Sequence, residues 1–327
     1  MKRDGITSVV YNLIQATDPS TVSFDLVAIN EPDRSLRDSF EKIGVKIHVI
    51  PRSAKGIFRY VANLRRLIRA GCYDAVHIHG SSATLALELI AAWMAGCKKR
   101  IAHSHNTSCK YKALHYALKP IVQMLSTHRL ACGEAAGKWL YSDGKFEVIC
   151  NGVDTERFSF SKENRETVRR QLGISQSDIA IGHVGAFNEV KNQAFLLDIL
   201  AKLPQKYKLV FLGEGALRAS VREKAGDMGL TGRVVFAGAV ADPERYYSAF
   251  DAMTLPSFHE GLPLTLVEAQ ANGLQCLVSD RVTDEVNLTD HVVFLPIDQG
   301  TACWVEHCAV PAPLPLIRTL PMSPPTT

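Results

Sequence analysis

The chain has 327 residues, 46% of them hydrophobic and 21% charged, with a formal net charge of +4. That balance excludes a disordered or fibrous protein, and the length suits two domains with separate cores. No apolar run approaches the roughly 18 to 20 residues that cross a bilayer, and the opening MKRDGITSVV lacks the features of a secretory leader, so a cytoplasmic protein is expected.

Short apolar runs alternate with helical patterns along most of the chain, which predicts an α/β protein with parallel sheets and crossover helices. The first residues run from Asp4-Gly5 directly into a helix over 6–16, so the opening strand of a doubly wound domain is expected to be absent. Strands are predicted at 23–30, 45–50, 74–78, 100–103, 128–132 and 146–150, with an amphipathic helix at 55–70. Its apolar face is Ile57, Tyr60, Val61, Leu64, Leu67 and Ile68, and Arg59, Arg65, Arg66 and Arg69 border it. The turn cluster Asn151-Gly152-Val153-Asp154 marks the seam, giving an N-terminal Rossmann-like domain over 1–155 and a second over 156–302. Second-half strands are predicted at 179–185, 207–213, 234–237, 252–256, 276–279 and 292–295. Residues 303–327 are predicted to be an irregular tail, since 310–327 carry six prolines and no pattern.

Charge divides unevenly between the halves. Residues 1–155 hold 21 Lys and Arg against 13 Asp and Glu, and residues 156–327 hold 16 against 20. A basic first half suits an anionic partner surface, here an anionic membrane rather than nucleic acid, for which no binding module is present. Eight cysteines, at 72, 97, 109, 132, 150, 276, 303 and 308, include no C-x-x-C pair, which points to a reducing compartment without structural zinc. Cys132 and Cys150 sit in apolar runs and are expected to be buried.

Chemistry concentrates in EGLPLTLVE, residues 260–268. Pro263 in the first turn of an apolar helix, with glycine just before it, makes a helix N-terminus whose N–H groups can hold phosphate oxygens, with Glu260 in the preceding loop and Glu268 about one and a half turns inside. Four histidines stand in two H-x-H strands, His77 with His79 and His103 with His105. Each pair shares a sheet face, but no cysteine or carboxylate completes a ligand set, so no metal is expected.

With HIHG at 77–80, RIAHSHNT at 100–107, ICNGVDTERF at 149–158, HVGAFNEVKN at 183–192, LGEGALR at 212–218 and SFHEGLPLTLVEAQANG at 257–273, the chain resembles glycosyltransferase family four. Within that family it is most similar to bacterial enzymes of capsular and exopolysaccharide synthesis. The resemblance implies a GT-B fold, two Rossmann-like doubly wound domains facing a cleft, and retaining transfer from a nucleotide sugar. The donor is a UDP- or GDP-sugar used as co-substrate, no other cofactor is implied, and the acceptor is a glycan or lipid-linked sugar. Peripheral contact with the inner face of the plasma membrane follows from such an acceptor. By the same resemblance Glu260 contacts the donor sugar, Glu268 the ribose, and Gly261 and Leu262 offer N–H groups to the diphosphate. Lys191 stabilises the leaving diphosphate, Gly185 belongs to its loop, His105 positions a sugar hydroxyl, and Gly5 lies in the loop before the first helix. The family commonly has arginine where Ala186 follows Gly185, so one cationic diphosphate ligand is absent, and Ala186→Arg is expected to raise turnover. No D-x-D motif is present, so no divalent ion is expected in the chemistry. Two rival readings stand beside this one, a sugar-nucleotide epimerase and a catalytically inert remnant.

Overall fold

The computed structural model describes residues 5–309. Its contacts divide the chain into two compact units, Met1–Gly152 and Val153–Thr327. Every strand pairing is parallel, as the buried apolar runs separated by helices require. All twelve predicted strands form, with ends shifted by a few residues.

In the first unit the strands are β1 (Asp25–Ala28), β2 (Lys46–Val49), β3 (Ala75–Gly80), β4 (Lys99–Ser104), β5 (His128–Ala131) and β6 (Glu147–Val148). They form one sheet of order β1-β2 and another of order β3-β4-β5-β6. Among the described residues the unit opens on the helix Gly5–Gln15, and no ladder joins β1 to β3. Val27 of β1 and Val76 of β3 nonetheless pack on one core with Tyr60, Leu64 and Ile68. Those last three are the buried stripe of the helix Ile57–Gly71, the apolar face anticipated from its period. β6 departs from expectation. It pairs through only two residues at the sheet edge, and it is exposed, as are Ile149 and Cys150. Cys150 is therefore not the buried thiol predicted, whereas Cys132 is buried; none of the eight cysteines forms a disulfide.

The second unit holds β7 (Ile179–Val184), β8 (Tyr207–Leu212), β9 (Val234–Gly238), β10 (Ala252–Leu255), β11 (Gln275–Ser279) and β12 (Val292–Leu295) in the order β12-β11-β10-β7-β8-β9. Chain order reverses between β7 and β10, the doubly wound pattern whose ligand crevice lies outside the carboxyl ends at that point. The β7–β10 ladder is short, registering only Ala252 with Ile181 and Met253 with Gly182. Side chains reinforce it at both ends. Asp251 accepts from the Ala180 N–H at 2.7 Å, and the Thr254 hydroxyl donates to the Gly182 carbonyl at 3.1 Å. Arg169, 0% exposed, clamps the lower end by donating to Asp251 at 3.1 Å and to the carbonyls of Ala249, Ser175 and Asp178.

Residues 303–309 are not irregular. They lie in the helix Ala302–Ala309, whose fully buried Trp304 meets Phe195 edge-on at 5.6 Å and donates to the Pro296 carbonyl at 3.0 Å. An eight-residue helix is too short for its period to show beside the proline-rich stretch. The rest of the predicted tail, 310–327, lies outside the described residues.

Arg169→Met removes a buried cation and orphans three carbonyls. The second unit is expected to lose about 3 kcal/mol of stability, read as a lower urea midpoint of its unfolding. An unchanged midpoint contradicts the clamp.

Candidate active site

Two loops leave the carboxyl ends of β7 and β10, and the crevice between these neighbouring strands gathers most of the expected donor residues. After β7 the chain turns through Gly185, Ala186 and Phe187 into the short 3-10 turn Glu189–Lys191. The Asn188 side chain caps that turn by accepting from the Lys191 N–H at 3.1 Å. After β10 the segment 256–263 leads into the helix Leu264–Ala271, with Pro263 as its N-cap rather than in its first turn. The loops are laced together by the Phe258 N–H on the Val190 carbonyl at 2.9 Å. There the Lys191 ammonium meets the Glu260 carboxylate at 2.7 Å, with side chains only 16% and 15% exposed.

Gly185 makes room for this geometry. A Cβ there would press on Lys191 Cε at 3.2 Å and lie 3.5 Å from His183 Nε2. The LGEG segment crosses directly behind. Gly213 has φ +133°, and a side chain on it would collide with the Gly185 carbonyl, while the Phe187 N–H donates to the Glu214 carbonyl at 3.0 Å. The loop carrying Lys191 is thus backed by main chain that only glycine permits.

Glu268 is placed differently from Glu260. It is buried in the helix Leu264–Ala271 and accepts from the hydroxyl of fully buried Tyr247 at 2.6 Å. Gly261 begins the approach to this helix, and Leu262 is buried beneath it. Ala186 is exposed, with its carbonyl held by Gln193 at 2.9 Å, so a longer side chain has space to extend.

Sequence reasoning missed three polar groups here. Ser257 Oγ and Thr265 Oγ1, on either side of the EGLP turn, are buried without hydrogen-bond partners. His183 is fully buried. Its Nδ1–H donates to the Thr254 carbonyl at 3.0 Å, which sets the tautomer and leaves Nε2 unpartnered beside Gly185. Burial, with the nearby Lys191 charge, lowers its pKa to about 3. Its position two residues before Gly185 on a strand, hence on the same face, was the available signal.

His105 and Gly5 belong to the first unit. The His105 N–H extends the β3–β4 register to the Gly80 carbonyl at 3.0 Å, and its Nε2 lies 2.9 Å from His79 Nδ1. Burial lowers its pKa to about 4, keeping the ring neutral. Gly5 begins the first helix, exposed, and a Cβ on it would meet nothing within 4 Å.

A parallel α/β crevice with a cation, a carboxylate and a helix N-terminus at the switch point can hold a phosphorylated ligand, and comparison with known proteins makes the class specific. Residues 3–157 match the family model described as Glycosyltransferase Family 4, and residues 164–293 match that of Glycosyl transferases group 1. EpsF of Bacillus subtilis (strain 168), named as a glycosyltransferase, is 33% identical over 94% of this chain and 85% of its own length. An Escherichia coli UDP-Gal:alpha-D-GlcNAc-diphosphoundecaprenol alpha-1,3-galactosyltransferase is 29% identical over 79% of this chain and 72% of that protein. The crystal structure of Anabaena Alr3699/HepE in complex with UDP and glucose superposes with a TM-score of 0.78 at 19% identity, covering 93% of this chain and 86% of that one. The chain belongs to the family 4 glycosyltransferases, with the GT-B fold. It is a glycosyltransferase of polysaccharide or glycan biosynthesis, and these matches do not favour the epimerase or the inert remnant.

His183 gives the second unit a pH signature. Its folded pKa lies below the ordinary 6.5, so the unfolded chain binds the proton first and stability falls as pH drops below 6.5. About 1.4 kcal/mol is expected to be lost per pH unit until the folded pKa is approached. Urea midpoints at pH 7.5 and 5.5 should differ in the wild type and converge in His183→Gln; equal slopes in the two proteins contradict the assignment.

Proposed function

We propose that the chain is a retaining glycosyltransferase that moves a sugar from a nucleoside-diphosphate donor to a glycan or lipid-linked acceptor. The observation that carries this reading is the Lys191–Glu260 pair at the β7–β10 switch point, ahead of the helix Leu264–Ala271. Without donor the two charges neutralise each other. A bound nucleotide sugar exchanges these partners, the diphosphate taking the Lys191 ammonium and the sugar hydroxyls taking Glu260. The helix N-terminus, through the Gly261 and Leu262 N–H groups, adds donors to the phosphate oxygens. Glu268, oriented by Tyr247, takes the ribose hydroxyls.

In the transfer step the bond from the anomeric carbon to phosphate breaks as the acceptor oxygen bonds that carbon on the same face. The acceptor proton passes to a phosphate oxygen, so no protein nucleophile is used. His105, neutral, holds a hydroxyl by hydrogen bonding. Neither a resident cofactor nor a metal is assigned a role in this step. A uridine donor is favoured by the relatives, since the E. coli enzyme is named for UDP-Gal and HepE was crystallised with UDP and with UDP-glucose.

The acceptor suggests where the enzyme works. No helix among the described residues is long and apolar enough to cross a membrane. In the first unit, however, the neighbouring helices Ile57–Gly71, Ala86–Met94 and Lys112–Leu125 carry exposed Phe58 (91%), Trp93, Tyr116 and Met124. Arg59, Arg66, Lys98, Lys99 and Lys112 lie in or beside these helices. Apolar side chains among basic ones suit peripheral docking of a cytoplasmic enzyme on the anionic inner face of the plasma membrane.

Calorimetric titration of the full chain with UDP, GDP and ADP is expected to show binding strongest for UDP. Lys191→Ala should lower turnover by about 10²- to 10³-fold. Ala186→Arg should tighten nucleotide binding roughly tenfold and raise turnover. Absence of binding to all three nucleotides overturns the donor assignment. In liposome sedimentation the chain should pellet with vesicles containing anionic lipid and not with neutral ones, and Phe58→Ser should weaken this. Equal recovery from both vesicle types rejects the membrane reading.

A further inference from the structure

The first unit contains a histidine cluster that the transfer chemistry leaves largely unused. β3 and β4 run parallel with His79 opposite His103. The H-x-H spacing on each strand therefore stacks four imidazoles on one face of the sheet. The His77 and His79 rings are 4.0 Å apart, those of His103 and His105 4.2 Å, and those of His77 and His103 are parallel within 4° at 5.4 Å. His77, His79 and His103 each offer a ring nitrogen, and these nitrogens lie within 4.8 Å of one another.

We propose that His77, His79 and His103 bind one divalent transition-metal ion of the zinc class. Metal–nitrogen bonds of 2.0–2.1 Å put two ligands of a tetrahedral ion about 3.3 Å apart. His77 Nε2 and His103 Nδ1 already stand 3.2 Å apart. No separation exceeds 4.8 Å, so at most about 1.5 Å is left to close, within reach of ring rotation in side chains anchored on paired strands. His77 Nε2 and His103 Nδ1 are hydrogen-bonded to each other, and a metal ion bound between them takes the place of the shared proton.

Protonation and access agree with this use. Burial lowers the His103 pKa to about 2 and holds His79 well below its ordinary value, so both rings keep the neutral form that ligates metal. His77 is exposed, giving the ion a way in. Three imidazoles without thiolate or carboxylate suit zinc, copper or nickel rather than magnesium or calcium, and leave a fourth position for water. His105 stands outside the three, bonded to His79 at 2.9 Å, in the place of a partner that orients a ligating ring.

The test uses the full chain stripped with EDTA and titrated calorimetrically with zinc chloride. One zinc per chain is expected, with affinity at least tenfold weaker in His77→Gln, whose exposed position spares the fold. Cobalt should give a visible d–d spectrum without a sulfur-to-cobalt charge-transfer band, because the eight cysteines take no part. In the wild type, zinc should shift the ring-proton resonances of His77, His79 and His103 together, a readout that needs no variant. The proposal is overturned by absence of saturable equimolar binding, by unchanged affinity in His77→Gln, by a thiolate charge-transfer band, or by unmoved histidine resonances.

Discussion

The second unit depends on the short seam between β7 and β10. Only two residue pairs register there, yet Lys191 and Glu260 hang from the two loops that leave it. A parallel ladder of two pairs is weak, and the chain compensates with side chains. Asp251 and Arg169 hold its lower end, and Thr254 and His183 bridge its upper end. Because Gly182 has no side chain, the Phe250 ring packs directly against the strand. The seam is thus braced on both sides, and the Lys191 and Glu260 loops start from neighbouring strands.

Charge at this seam is poised. A half-buried lysine and glutamate this close favour pairing, and in the free protein each is the other's partner. Under the proposed function a nucleotide sugar exchanges these partners, phosphate for the cation and hydroxyl donors for the anion, and a free sugar or free phosphate would satisfy only half of the exchange. The Ser257, Thr265 and His183 side chains nearby likewise hold buried polar atoms without a hydrogen-bond partner.

Much of the architecture was legible in the sequence because parallel strands buried on both faces read as apolar runs. All twelve appeared, and the Tyr60, Leu64 and Ile68 stripe followed from helical period. Misreadings fell where period and burial part company. The run 146–150 is apolar but sits at a sheet edge, so Cys150 is exposed. The helix Ala302–Ala309 is too short for its pattern to stand out, yet Trp304 locks it onto the core.

The sequence by itself determined the class of protein, because EGLPLTLVE, the glycine turns and their order along the chain are local features that survive without coordinates. Local spacing also placed each pair of histidines on one face of its own strand. Only the tertiary structure decided which groups meet. Lys191 and Glu260 are 69 positions apart and touch because β7 and β10 are neighbours, and His77 approaches His103 because β3 and β4 pair in one register. Pairing partner and register are set by packing across the whole sheet, so contacts of this kind carry no signature in any single stretch of chain.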